Sequence, residues 1–114
     1  MTVEEIARSL DLTVLSGGPR LSQPVAGGYA SDLLSDVMAN SREGDIWITL
    51  QTHQNIIAVA KLKNLSAVVL VNSRTPDPET LQKAEQEGIV LCRTADPAFV
   101  FSGRLYELLG RGKG

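Results

Sequence analysis

The residues of this chain that could do chemistry lie between predicted strands and helices. Five consecutive side chains with hydrogen-bonding groups, Gln51–Asn55, follow one apolar run, and Asn72–Thr75 follow the next. In an open parallel sheet, ligands bind outside the carboxyl ends of the strands, where helix N-termini present free N–H groups. We therefore predict that ligand-binding residues lie in the loops after four strands: Gly28, Ser31, Gln51, Thr52, His53, Gln54, Asn55, Asn72, Ser73 and Thr94.

These loops also have a purely structural interpretation. Asn55 or Thr52 caps the helix that follows, and the other polar side chains face water, as they do in most loops. His53 has no nucleophile and acid partner near it in the sequence, so catalysis through it is the minority hypothesis. We expect it to act as a neutral hydrogen-bonding group, and we predict no catalytic residue.

Three further features have a chemical and a structural interpretation, and the structural one is favoured for each. Gly27–Gly28 lacks the spacing of a phosphate-binding loop, so it indicates close packing or a positive φ. Asp32 and Asp36 could attract a divalent ion, but first-turn carboxylates favoured by the helix dipole explain them better. Cys92 ends an apolar strand and is expected to be a buried, inert thiol, although Arg93 beside it could lower its pKa if it were exposed.

Composition excludes several classes of function. One cysteine and one histidine in 114 residues exclude a disulfide within the chain, a zinc cluster and an all-cysteine iron–sulfur site, so no metal or cofactor is predicted. A net charge of −2 lacks the basic surplus of a duplex-binding module, which argues against a nucleic-acid partner. No apolar stretch could serve as a signal peptide or membrane span, so we expect a cytoplasmic protein.

The alternation of apolar runs with helical periodicity predicts an α/β fold. Four units of strand and helix indicate one domain, with a mostly parallel four-stranded sheet flanked by helices. We expect residues 1–22 to be a small N-terminal helix and strand outside this sheet, and residues 110–114 to be a flexible tail. The predicted strands are Val25–Tyr29, Ile46–Leu50, Ala67–Val71 and Ile89–Cys92.

Apolar residues of the last helix cover more than one of its faces. A helix of this kind is either deeply buried or covered by a partner, and a small domain has little room to bury it completely. We therefore predict a homodimer that uses this helix, with interface candidates Phe99, Phe101, Leu105, Tyr106 and Leu109.

Four segments carry a likeness to a known family: VAGGYASDLLSDV at 25–37, GDIWITLQTHQNIIAVA at 44–60, AVVLVNS at 67–73 and EGIVLCRT at 87–94. Through them, the chain resembles the DRTGG domain family over residues 12–109. It is most similar to the small stand-alone version found near iron-only hydrogenase genes in anaerobic bacteria. The resemblance implies a dimeric α/β domain with a regulatory or ligand-sensing role and no established catalysis.

Two departures from the family pattern fall at the carboxyl ends of strands. Where the family motif has Asp-Arg, this chain has His53-Gln54, and where it has Thr-Gly-Gly, this chain has Val71–Ser73. A ligand of this chain therefore need not be the one that other members bind. Some relatives are described as iron–sulfur-binding hydrogenases, but a single cysteine cannot support that chemistry here.

The sequence thus favours a non-catalytic regulatory homodimer that binds a small ligand, of anionic or nucleotide-like chemistry, or a protein partner. One alternative is a protein–protein adaptor associated with hydrogenase or with phosphate and acyl-transfer metabolism. The other is a small phosphoryl- or acyl-transfer enzyme using His53 or Cys92, for which the sequence offers no paired acid and base.

Overall fold

A mixed sheet of five strands organises the chain. The computed structural model describes residues 1–110. The elements are α1 (Val3–Ser9), β1 (Thr13–Ser16), a 3₁₀ turn (Gly18–Arg20), β2 (Gly27–Ala30), α2 (Leu34–Asn40), β3 (Asp45–Thr49), α3 (Asn55–Leu62), β4 (Ala67–Leu70), α4 (Pro78–Glu87), β5 (Leu91–Arg93) and α5 (Ala98–Gly110). The predicted flexible tail lies outside the described residues, except for Gly110, which ends α5.

The strands lie in the order β1-β5-β4-β3-β2. Strands β2 to β5 are mutually parallel, as predicted, whereas β1 pairs antiparallel with β5. The sheet therefore has five strands instead of the predicted four. β1 joins the sheet because its backbone pairs with that of β5, and the buried Ser16 hydroxyl donates to the Ile89 carbonyl at 2.8 Å.

Each face of the sheet has its own hydrophobic core. Helices α1 and α5 cover one face, where Ile46 and Ile48 of β3 are buried. Helices α2, α3 and α4 cover the other face, where Trp47 is fully buried and its Nε1 donates to the Ser31 carbonyl at 2.8 Å. Alternate β3 residues thus serve opposite cores, which explains why Ile46, Trp47 and Ile48 are all apolar.

A side chain caps the start of α1 but not that of α2. Thr2 and Glu5 form a capping box, each accepting a hydrogen bond from the other's backbone N–H. Helix α2 begins at Leu34 and has no side-chain cap, although Ser31 lies three residues before it. The Ser31 hydroxyl instead accepts from the Leu33 N–H at 3.2 Å, because the chain first extends so that Asp32 can contact the end of β3.

Helix α5 exposes only some of the residues that were predicted to form an interface. Phe101 and Leu105 are 0% and 2% exposed and belong to the core beneath α5, so neither is available to a partner. The physical reason is that α5 lies against β2 and β3, where Gly28 of β2 leaves room for the Leu105 side chain. Phe99 and Tyr106 are 90% and 80% exposed.

Candidate functional site

The loops after the four parallel strands meet where the carboxyl ends of those strands lie side by side, which we call the carboxyl edge. The first connection joins the β2 and β3 loops through Asp32. Its Oδ1 accepts hydrogen bonds from the Thr49 hydroxyl at 2.8 Å and the Leu50 N–H at 2.7 Å. A second bond joins the same two loops, because the Gln51 side-chain amide donates to the Asp32 carbonyl at 2.8 Å. Asp32 and Gln51 thus fix the positions of two loops relative to each other.

The β3 loop is joined in turn to the start of α4. The Thr52 carbonyl accepts from the Asp77 N–H at 3.1 Å and from the Thr80 hydroxyl at 2.6 Å. Thr80 is completely buried, so this bond satisfies a hydroxyl that water cannot reach. Asp77 is the N-cap residue of α4, but its side chain makes no capping bond.

The β4 and β5 loops are joined by two backbone hydrogen bonds. The Asn72 N–H donates to the Asp96 carbonyl at 2.9 Å, and the Ser73 N–H donates to the Thr94 carbonyl at 2.8 Å. Asn72 and Ser73 both have left-handed backbones, with φ of 56° and 54°. Glycine is the residue that adopts this conformation without steric cost, so at both positions the fold holds a side chain in an unfavourable conformation.

His53 has a structural role within its own loop. Its Nδ1 accepts a hydrogen bond from the Asn55 N–H at 3.1 Å at the start of α3. Capping by Asn55 or Thr52 was the structural interpretation of this loop, and it is wrong in detail because the imidazole takes that place. Since Nδ1 is an acceptor, the neutral ring carries its proton on Nε2, and the exposed side chain retains one donor.

The predicted ligand-binding residues divide into three groups. Gln51, Thr52 and Thr94 are at least partly buried and bond to neighbouring loops, whereas the hydroxyl of the half-buried Ser31 accepts a bond within its own loop. Gly28 lies apart from the loops, on β2, where an added Cβ would stand 3.0 Å from Leu105. The exposed residues at the carboxyl edge are His53, Gln54, Asn55, Asn72 and Ser73.

Charged groups near this edge are already paired with others or exposed to solvent. Arg104 forms an ion pair with Asp96 at 2.6 Å, and Arg93 Nη1 donates to the Thr75 hydroxyl at 3.4 Å. Arg74 is exposed beside Ser73. Sequence reasoning did not identify the Asp96–Arg104 pair, for which the separation of eight residues gives no recognisable signal.

Asp32 and Asp36 do not converge on one point. Asp32 bonds to β3, whereas both oxygens of Asp36 accept from the Tyr29 hydroxyl and one also accepts from Asn40. Hydrogen bonds from Ser31, Tyr29 and Asn40 hold the pKa of Asp36 below its usual range. Within residues 1–110, no three His, Cys, Asp or Glu side chains are grouped so that they could hold a metal ion.

Cys92 lies in the core on β5, as the structural interpretation predicted. Burial raises the pKa of its thiol to about 12, so the reactive thiolate is suppressed near neutral pH. Arg93, which follows it in the strand, contacts Thr75 instead.

A cleft of about 460 Å³ lies away from the carboxyl edge, between β2 and α5. Small residues of β2 form one wall and α5 forms the other. The sequence predicted Gly28 as a ligand-binding residue and Leu105, Tyr106 and Leu109 as interface residues, but it did not predict the cleft, because glycine and alanine carry no chemical signal. The lining residues are Ala26, Gly27, Gly28, Ala30, Ile48, Ser102, Leu105, Tyr106, Leu109 and Gly110.

Comparison with known proteins identifies the fold. No family model matches the chain, and no curated protein matches it. A solved structure of the CBS and DRTGG domains of the regulatory region of Clostridium perfringens pyrophosphatase, complexed with its activator diadenosine tetraphosphate, is similar to it with a TM-score of 0.71 and 19% identity. The match covers 91% of this chain and 45% of the other. Within residues 1–110, no helix is long and apolar enough to cross a membrane.

The similarity to the solved structure shows that the chain shares its fold with part of a nucleotide-regulated protein region.

Proposed function

We propose that this chain is a DRTGG-type regulatory domain, a homodimer without catalytic activity that binds a small ligand at the carboxyl edge of its parallel strands. The observation that carries the proposal is the continuous hydrogen bonding of the four loops at that edge. Asp32 joins the first two loops, Thr52 continues to α4, and Asn72 and Ser73 join the last two. A fixed backbone of this kind pre-organises the side chains that project from it.

The donors at this edge suit an anionic ligand. His53 offers Nε2–H, Gln54 and Asn72 offer amide N–H groups, Ser73 offers a hydroxyl and Arg74 offers a guanidinium; all five side chains are exposed. Phosphate and carboxylate groups accept hydrogen bonds from such groups, and bonds to a charged acceptor are roughly twice as strong as neutral ones. The activator of the similar pyrophosphatase region is a nucleotide, which supports nucleotide-like chemistry for the ligand.

The positions of the potential catalytic side chains support a non-catalytic role. The Cys92 thiol is buried away from the surface, and His53 Nδ1 accepts a hydrogen bond from the Asn55 N–H of its own loop. A nucleophile must lie within hydrogen-bond reach of its base, and these two residues lie at different depths in the fold. The small-transferase hypothesis therefore has less support than the regulatory one.

Thermal-shift measurements test the ligand part of the proposal. The probes are AMP, ATP, diadenosine tetraphosphate, acetyl phosphate and inorganic phosphate. A ligand at 100 times its Kd adds about 2.7 kcal/mol to the free energy of unfolding, which raises the Tm by several degrees. We expect at least one phosphate-bearing probe to stabilise the protein, and no stabilisation by any of them would refute the proposed ligand class.

A pair of arginine variants locates the site. Arg74→Ala removes an exposed cation at the carboxyl edge, whereas Arg42→Ala removes one just before β3, at the opposite edge. We expect Arg74→Ala to weaken binding of the stabilising probe about tenfold in calorimetric titration, and Arg42→Ala to leave it unchanged. Equal effects of the two variants would indicate non-specific attraction instead of a site.

The adaptor hypothesis has one specific observation in its favour. Phe99 and Tyr106 remain exposed on α5, and large exposed aromatic side chains are typical of protein interfaces. In the proposed function these two residues, with Leu109, serve the homodimer.

A further inference from the structure

Strand β2 forms an open edge of the sheet. Among the described residues it pairs only with β3, and Gly27–Ala30 contain neither a charged residue nor a proline. Natural edge strands are commonly protected by charge, proline or a bulge, because their free N–H and C=O groups pair readily with another strand. The outer strand on the other side of the sheet, β1, has such an irregularity, because its register shifts between Val14 and Ser16.

Helix α5 presents an aromatic stripe beside this open edge. Phe99, Ser102 and Tyr106 are three and four residues apart, a spacing that places them on one helix face. Ser102 and Tyr106 line the cleft of about 460 Å³ together with β2, so the stripe and the strand edge form one continuous surface. Phe99 extends this surface along α5 and is 90% exposed.

We propose that a second copy of this chain covers this surface by pairing β2 antiparallel with its own β2 about a twofold axis. The inference rests on the homodimer in the proposed function and specifies its interface. The axis stands perpendicular to the sheet, so the ten strands, five from each copy, form one continuous sheet. Because α5 lies over β2, the same axis brings the two α5 helices together on one face.

Charge and coverage favour a second copy over an unrelated peptide. A twofold axis places each residue near its own counterpart, and none of Gly27–Ala30, Phe99, Ser102 and Tyr106 carries a charge that would be repelled. A single added strand would cover β2 alone. The twofold arrangement also covers the aromatic stripe of α5.

The area available is that of a modest interface. A fully exposed aromatic side chain presents about 150–250 Å², so Phe99 and Tyr106 together contribute about 300 Å² per copy. The strand edge and the cleft walls add to this area, but the total stays below the roughly 800 Å² per partner of a standard interface. We therefore expect a dimer that dissociates on dilution.

Sedimentation velocity over about a hundredfold range of micromolar concentration tests the interface. We expect wild-type chain to change from 12.3 kDa to twice that mass as its concentration rises. Ala30→Lys places a charge in the cleft beside the open edge and Tyr106→Lys places one on the stripe; both should stay monomeric with unchanged circular dichroism. Leu62→Lys is the matched control, because Leu62 is 67% exposed on α3, across the sheet, and this variant should still dimerise.

Hydrogen exchange separates this interface from other dimers. In the dimer, the backbone amides of Gly27–Ala30 that face outward should gain protection about tenfold or more over the monomeric Ala30→Lys protein. A dimer without this protection would overturn the β2 interface but leave the homodimer intact. A monomeric wild type would overturn both the β2 interface and the homodimer. This holds even if another protein is found to protect β2. Ligand binding by Ala30→Lys, measured with the probes above, tests the proposed ligand site separately.

Discussion

Replacing Asn72 and Ser73 with glycine separates the stability of the carboxyl edge from its function. Both residues have left-handed backbones, with φ of 56° and 54°, and both N–H groups bond to the β5 loop, so the conformation is held by the fold. An L-residue pays about 1–2 kcal/mol for this conformation, although asparagine pays less than serine. Glycine removes that cost but loses about 0.5–1 kcal/mol through its greater freedom in the unfolded chain.

The net change is therefore a gain in stability. We expect Ser73→Gly to raise the free energy of unfolding by about 0.5–1 kcal/mol and Asn72→Gly to change it little. For a domain of this size, the double variant should melt about 2–5 °C higher. Differential scanning calorimetry and urea titration measure the change.

The same double variant should bind ligand more weakly. Each lost side-chain hydrogen bond costs about 0.5–1.5 kcal/mol, so the two together should reduce affinity about tenfold or more. Asn64→Gly is the control, because Asn64 is also exposed and left-handed, with φ of 53°, but follows α3 at the other edge of the sheet. Higher stability with unchanged affinity would refute the role of these side chains in binding, and a loss of stability would refute the argument from backbone strain.

Three further predictions concern the core and the titrating groups. Phe101→Ala should lower the free energy of unfolding by about 3–5 kcal/mol, whereas Phe99→Ala should change the stability of the monomer by less than about 0.5 kcal/mol; urea denaturation of dilute protein measures both, and similar losses would contradict the burial of Phe101. Cys92 should react with Ellman's reagent at pH 8 only as fast as the chain unfolds, because burial raises its pKa to about 12; rapid labelling of the native protein would contradict this. The folded pKa of Asp36 lies below its ordinary 3.8, so the contribution of this carboxylate is present above that pH and is lost on acidification; Asp36→Asn should make stability fall less steeply between about pH 5 and pH 3, and equal slopes would contradict its hydrogen bonding.

The order of elements could be predicted because the central parallel strands are largely apolar. Runs such as Ile46–Leu50 and Ala67–Val71 serve a core on each side, and capping or glycine residues separate them from helices. The role of β1 could not be predicted, because its pairing partner β5 lies more than seventy residues further along the chain. Short segments carry no signal for such a distant antiparallel contact.

The last helix shows why an apolar helix is ambiguous in sequence alone. Phe99 and Phe101 are equally apolar, yet one is 90% exposed and the other is completely buried. Which face of α5 meets the sheet depends on where β2 and β3 lie, and that is a tertiary property. The prediction of an interface therefore remains a proposal for Phe99, Tyr106 and Leu109 and is wrong for Phe101 and Leu105.

The position of the candidate site followed from a rule about parallel sheets, but the roles of its residues did not. The loops meet at the predicted edge, because parallel strands end there together. Asp32 and Thr94 bind neighbouring loops, and His53 takes part in the start of α3. These assignments depend on distances between loops, which residue types alone do not encode.

Chemical-shift mapping tests the central proposal most directly. A titration of the ¹⁵N-labelled protein with the phosphate-bearing probe that stabilises it most would report every backbone amide that the ligand affects. The carboxyl-edge site predicts saturable shifts concentrated in Gln51–Asn55 and Asn72–Thr75, with β1 unaffected. Shifts confined to the cleft between β2 and α5, or none at concentrations that stabilise the fold, would contradict it.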